Sequence, residues 1–434
     1  MNRFLILIFA TIACTSVAEG KNVIVADSAT HRPLPGASVF KSNGIALGIT
    51  DNRGCIPSIL SDDFPIIIRY LGFGEKTVKP EECSDTIFLS EVPYELLEVN
   101  VESRQHKVLH LLAYVREYSN MSTYTDTVFL FREKMVDFML PTEAKSKFKG
   151  WRAPRVLKSD SYYRFSNYDG LDSVSSKCNN HFSWSDWIGI PPTPVLPPGL
   201  CGLETGTDTL RGKYSPSEIW VRRGDRVTAE IDILADTLRR KWVPGLVPFF
   251  RRGLDFSDFR IRYKYDNLAN DSICPTDIAG YSFNVQSRGR GHAMFRFNKI
   301  DEPCFVNTFA EVYIIDKEYI SVKEARKWDK LKYWNDSLEI IDAPQAPELQ
   351  PEILQLIARV RAIDHDAVRT DLTPDRRLMG IHTPRRENLG TRALSMLKTL
   401  TGISRYKYNR NNNRNWEKFR REQQLKNAAR PMPE

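Results

Sequence analysis

Seven histidines, seven cysteines and a tryptophan pair beside a proline-rich run are the side chains whose types and spacing could do chemistry in this 434-residue chain. A zinc hydrolase needs neutral imidazoles and a carboxylate converging on the metal, with a glutamate working on bound water. None of His31, His106, His110, His181, His292, His365 and His382 has Glu three residues later, and no His-Glu-x-x-His occurs. His106 and His110 lie four apart, so on a helix both would face one metal. No third ligand is anchored beside them, so they read as surface or interface histidines and not as a metal pair. Neither a Gly-x-Ser-x-Gly elbow nor a phosphate loop is present, and Arg288-Gly289-Arg290-Gly291 reads as the tip of a hairpin. Acidic residues are plentiful, but a linear sequence does not pair two of them across a cleft, which leaves a glycosidase-type dyad open. No catalytic, cofactor-binding or metal-binding residue is assigned on this basis, and no cofactor is expected.

Trp184 and Trp187 precede Pro191, Pro192, Pro194, Pro197, Pro198 and Gly199. Two readings fit: a stacking surface that recognises a sugar or a peptide, or rings that pin a proline-rich loop to the body. Six cysteines follow the first twenty residues: Cys55, Cys83, Cys178, Cys201, Cys274 and Cys304. An even number in an exported chain suggests disulfides, and the local pairing is Cys55–Cys83, Cys178–Cys201 and Cys274–Cys304. Each such link could contribute ~3–4 kcal/mol by constraining the unfolded chain. Buried free thiols are the alternative.

Those side chains must be positioned by elements, and the first is an export signal. Asn2-Arg3 starts it, Phe4 to Ile12 is apolar, and Ser16-Val17-Ala18 offers a small-x-small cleavage site, so residues 1–18 read as a signal peptide. Cys14 supplies a second route, lipidation, and no later apolar run is long enough for a membrane helix. Residues 19–101 alternate short apolar runs with turns: Val23-Ile24-Val25, Ala37 to Phe40, Ile66 to Tyr70 and Thr86 to Leu89, separated by Pro, Gly, Asn and Asp. Short strands at this spacing indicate a sandwich.

Within that sandwich the order Pro-Leu-Pro-Gly-Ala-Ser-Val (33–39), Thr-Asp-x-x-Gly (50–54), Tyr-Leu-Gly-Phe (70–73) and Leu-Leu-Glu-Val-Asn-Val (96–101) resembles the carboxypeptidase regulatory-like domain. The resemblance implies a transthyretin- or immunoglobulin-like sandwich of the seven-stranded type. Such modules often head outer-membrane receptors and other envelope proteins, which implies an adaptor role and an envelope setting. Cys55 departs from the apolar or hydroxyl residue usual there.

Residues 102–343 read as a larger antiparallel, β-rich (α+β) domain. Val108, Leu111, Leu112, Val115 and Tyr118 recur at helical spacing and predict an amphipathic helix over 106–119. Beyond Tyr124 the period becomes two: Phe259, Ile261, Tyr263 and Tyr265 alternate with Arg260, Arg262, Lys264 and Asp266, which predicts strands with one buried and one solvated face. The run from Phe305 to Lys323 is similar to meanders of half-barrel lipoprotein carriers. Residues 344–434 hold a Pro-marked linker, two short helices (one led by Ile353, Leu356, Ile357 and Val360, the other by Leu389, Ala393, Leu397 and Leu400) and a basic tail. Residues 364–434 carry 16 Lys+Arg against 8 Asp+Glu, so the whole net charge of +8 lies there.

The fold expected is mainly β. The function expected is non-enzymatic binding or scaffolding in the cell envelope, periplasmic or outer-membrane-associated. Its partner would be an outer-membrane or envelope protein, with the basic tail available to an anionic membrane surface. An envelope glycan- or peptide-acting hydrolase using middle-domain carboxylates is the alternative. The export signal argues against nucleic acid despite the basic charge.

Overall fold

The computed structural model describes residues 23–363 except 52, 57–58, 93–106, 123–125, 143–147, 168–171, 177–182, 214, 237–254, 270, 291–302 and 331–338, together with isolated positions from 393 to 406. The signal segment, the 96–101 strand, His106, Cys178, the side chain of Cys304 and most of the tail lie outside the described residues. The chain forms two compact units, Met1–Tyr94 and Glu95–Glu434, and is mainly β.

The first unit is a small β-sandwich. β1 (Ile24–Asp27) pairs in parallel with β6 (Thr86–Leu89). β2 (Ser38–Lys41), β3 (Ala46–Ile49), β4 (Ile66–Arg69) and β5 (Lys76–Val78) form an antiparallel sheet in the order β3-β2-β4-β5. Alternate residues meet between the sheets: Val25, Val39, Ile66, Ile68, Val78, Ile87 and Leu89 form the core. The expected Asp51 turn is present. Asp51 Oδ1 accepts from the amides of Arg53 and Cys55, each at 2.8 Å, and Gly54 adopts φ +75°. A Cβ there would lie 2.7 Å from the Val25 carbonyl, so the close approach of β1 requires glycine. Thr50 of the same motif is fully buried, accepting from the Ala37 amide at 2.8 Å and donating to the Leu34 carbonyl at 2.6 Å.

The second unit is built on one ten-stranded antiparallel sheet, ordered β10-β9-β8-β7-β16-β15-β14-β13-β12-β11. Its left half is β7 (Val108–Ser122), β8 (Asp126–Pro141), β9 (Trp151–Asn167) and β10 (Asp172–Ser175). Its right half is β11 (Thr205–Arg211), β12 (Pro216–Arg223), β13 (Arg226–Asp232), β14 (Asp255–Tyr265), β15 (Ile278–Arg290) and β16 (Pro303–Ile320). Each half is a meander, and the halves join where β7 pairs with β16 over fifteen residue pairs, Phe305↔Ser122 to Ile320↔Val108. Helices α1 (Val322–Lys330) and α2 (Pro351–Arg361) follow. α2 buries Ile353, Leu356, Ile357 and Val360, the face expected for it.

Three expectations are corrected. The 106–119 helix is the strand β7. Leu109, Leu111, Ala113 and Val115 enter the main core on one face, while Val108, His110, Tyr114, Arg116 and Tyr118 are buried on the other. A strand buried on both sides is apolar at nearly every position, so helical spacing can be found in it without a helix. The polar faces of β13 to β16 are also largely withdrawn from solvent: Glu230, Arg262, Lys264, Ser282, Asn284 and Glu311 are all buried. They satisfy charge in pairs, with Arg262 Nη2 donating to Glu230 Oε2 at 2.7 Å. Finally, Cys55, Cys83, Cys201 and Cys274 are free thiols, so Cys55–Cys83 is not a disulfide. Cys55 is instead hydrogen-bonded to Asp51, and burial, then the Asp51 charge, push its thiol up. Cys201 faces the Pro197 carbonyl at 3.6 Å and Cys274 opens a 3-10 turn over Pro275–Asp277, whereas the expected partners of both lie outside the described residues.

Candidate functional site

β10 and β11 are the two outer strands of the large sheet, yet they are consecutive in sequence. The connection between them must therefore travel from one edge to the other. Residues 183–201 do so across the face that carries the main core, as a strap. Its side chains Trp184, Ile188, Ile190, Leu196 and Leu200 are buried among Tyr163, Trp220, Phe259, Tyr263 and Tyr281. Burial of five such groups contributes on the order of 10 kcal/mol before the ordering of the strap is subtracted.

Prolines keep the strap extended but remove amide donors, and its carbonyls are met by the sheet. Tyr281 donates to the Ile188 carbonyl at 2.9 Å and Tyr263 to that of Gly189 at 3.0 Å. Arg152 Nη1 donates to the Pro191 carbonyl at 2.7 Å, and Arg222 Nη1 to that of Leu200 at 3.0 Å. Burial raises both phenols far above their ordinary range, so they stay neutral donors. Gly189 lies so close to β9 that a Cβ would fall 1.9 Å from the Arg152 carbonyl oxygen.

A buried ionic cluster fixes the start of the strap. Lys134 of β8 and Glu117 of β7 point into the core face, and both are wholly inaccessible to solvent. Lys134 Nζ donates to Ser183 Oγ at 2.7 Å, to Ser185 Oγ at 2.5 Å and to Asp186 Oδ1, with Glu117 Oε2 at 3.5 Å. Glu117 Oε2 also accepts from Ser183 and from Ser185 Oγ at 2.6 Å, while its Oε1 is buried with no hydrogen-bond partner. Burial opposes the Glu117 charge, but Lys134, Arg132 and the two serines outweigh it and hold the carboxyl down at about 2. Arg132 donates to Ser161 Oγ at 2.8 Å and Tyr163 OH at 2.7 Å.

The opposite face carries a second cluster. His110 Nδ1 lies 2.8 Å from Glu318 Oε1 and its Nε2 lies 3.2 Å from Asp137 Oδ2. Arg155 Nε donates to Asp137 Oδ1 at 2.8 Å and its Nη1 to the Trp328 carbonyl of α1 at 2.9 Å. The His110 and Trp328 rings meet edge to face at 4.7 Å, and Arg155 stacks over Trp151 at 4.2 Å. Burial raises the Asp137 carboxyl, but bonds from His110 and Arg155 bring it net below the usual range. These contacts tie four strands to α1. Two pairs along β7, Tyr114 donates to Glu133 Oε1 at 2.5 Å and receives Arg116 Nε at 2.8 Å. Burial leaves Glu133 raised, the bias a general acid needs, but Arg116 also binds the Pro347 carbonyl and Asp342 of the segment before α2.

Trp184 is 1% exposed and packs edge-on against Trp187, Phe256 and Phe259 at 5.5–5.7 Å. Its ring pins the strap and is not a stacking surface. Trp187 is partly buried against the same core. His110 has two carboxylate partners, and His106 lies outside the described residues. Among the described residues no group of three or more His, Cys, Asp or Glu is arranged to hold a metal. Sequence reading missed Glu117, Lys134, Asp137 and Arg155. A signal existed for Lys134: on β8, Val128, Leu130, Val136, Phe138 and Leu140 share its parity, so a lysine stands in core phase.

No protein-family profile and no curated protein matches the chain. Among solved structures, one of lipid–protein interactions in lipovitellin aligns with 57% of this chain at 10% identity and a TM-score of 0.24. The alignment spans 27% of that protein's length, and a score at this level defines no shared fold.

Proposed function

We propose that this chain is an exported, non-enzymatic binding or scaffolding protein of the cell envelope. The N-terminal sandwich, of carboxypeptidase regulatory-like type, serves as an adaptor for an envelope protein, and the C-terminal region rests on an anionic membrane surface. The observation that carries this reading is the helical stretch sampled at Ala393, Leu394, Leu397, Leu400, Ile403 and Tyr406. Leu394, Leu397, Leu400, Ile403 and Tyr406 are 45–82% exposed, in the segment that holds the chain's net positive charge. At 100° per residue, Ala393, Leu397, Leu400 and Ile403 fall within one arc of about 120°, with Leu394 and Tyr406 outside it. Apolar area on one side of a helix within a cationic segment suits the interface of an anionic bilayer. The export-type N-terminus and the Thr50–Gly54 turn support the envelope setting.

The test is co-sedimentation of the full chain with phosphatidylglycerol vesicles and with phosphatidylcholine vesicles. Binding to the anionic vesicles, weakened at least tenfold by Leu397→Glu with Leu400→Glu and by raised salt, is expected. No preference for anionic vesicles, or recovery of the unprocessed chain from the cytoplasm alone, would overturn the reading.

A further inference from the structure

We propose that Lys134 and Asp186 condense into an isopeptide bond that fastens the strap covalently to β8. The site brings an amine against a carboxyl: Lys134 Nζ donates to Asp186 Oδ1, and the Lys134 side chain is 1% exposed. Trp184, two residues before Asp186, is buried in the core against Phe259. Asp186 retains 20% exposure, which leaves a way out for a small product. Glu117 Oε2 lies 3.5 Å from the same nitrogen, and its second oxygen is buried and unpartnered. The carboxylate thus lies beside the reacting nitrogen with an acceptor oxygen to spare, placed to relay a proton.

The reaction balances without a co-reactant. Lys134 passes a proton to Asp186 Oδ1 across their hydrogen bond, leaving a neutral amine beside a carboxylic acid. Nζ attacks Asp186 Cγ, the N–C bond forms and a C–O bond breaks. Both protons lost by Nζ leave with that oxygen as water, one of them relayed through Glu117, which ends as a carboxylate. Proximity favours the step, because the strap holds the reacting groups in contact and no encounter is needed. Charge favours it too. Lys134 and Arg132 face Glu117 and Asp186, two cations against two anions, and desolvating each ion has a cost that the amide removes. What remains is Arg132 opposite Glu117, a balanced pair.

The test is mass spectrometry of a tryptic digest of the purified full chain. Acylated Lys134 is not a cleavage site, so a branched product joining residues 133–145 to residues 178–211 is expected, lighter than the two peptides together by one water. Asp186→Asn gives the same branched mass, because ammonia leaves in place of water. Lys134→Arg abolishes the branch. Release of a linear 135–145 peptide together with unbranched 178–211 from wild-type protein overturns the proposal, and that readout does not depend on any variant folding.

Discussion

Asp137 is a residue through which acid weakens the second unit. Its carboxyl accepts from Arg155 and from His110 while almost fully buried, and its pKa in the folded chain lies below that of an ordinary aspartate. The folded state therefore binds the proton less readily than the unfolded state. Its contribution to stability is complete above the ordinary aspartate pKa and is lost as pH falls through the depressed folded value. Denaturant titrations from neutrality towards pH 2 should show stability falling on that acid limb, with Asp137→Asn giving a shallower limb from a lower plateau. Equal slopes would remove Asp137 from the account. Sequence alone shows an aspartate in a strand. Its partners come from His110 on β7 and from Trp151 and Arg155 on β9, and nothing local in the chain announces them.

At the scale of elements, the strap is held by carbonyls that face phenols. Tyr263→Phe or Tyr281→Phe leaves one buried strap carbonyl without its donor, at about 1 kcal/mol each, and the double variant should lose about 2 kcal/mol. Urea unfolding measures this, and an unchanged midpoint in the double variant would show that the strap is secured elsewhere. How far the elements were legible depends on their faces. The sandwich turns at Pro35-Gly36 and Asp51–Gly54 were readable because they need particular backbone chemistry. Alternation in β13 and β14 was readable as strand, but not that Arg262 and Lys264 would be buried as well. β7 was misread for the same reason: with Leu111 and Tyr114 both buried, periodicity carries little information. Trp184 was legible as an anchor or as a recognition surface, and packing against Phe256 and Phe259 decides for the anchor.

At the scale of the molecule, the second unit depends on one seam. β7 finds its right-hand neighbour in β16, so Val108 pairs with Ile320 across more than half of that unit's described length. Chains ending at residue 302 would keep the left meander and β11–β15 but expose two long open edges, β7 and β15, each with unpaired backbone groups beside apolar side chains. Such chains should elute as aggregates in size-exclusion chromatography, whereas the full chain does not. A monodisperse truncated species with native near-ultraviolet circular dichroism would contradict this role for the seam.

The seam also dictates a timetable. A polypeptide emerging N-terminus first displays β7 long before its partner exists, because some 180 residues must appear in between. The first sandwich can settle on its own meanwhile, its core cluster and strand pairing lying within residues 23–89. The left meander and the strap have no such independence, and must be kept apart from sister chains until residues 303–320 arrive. A holdase acting during that interval, with its demand ending abruptly once Ile320 is available, is the cellular requirement this connectivity creates.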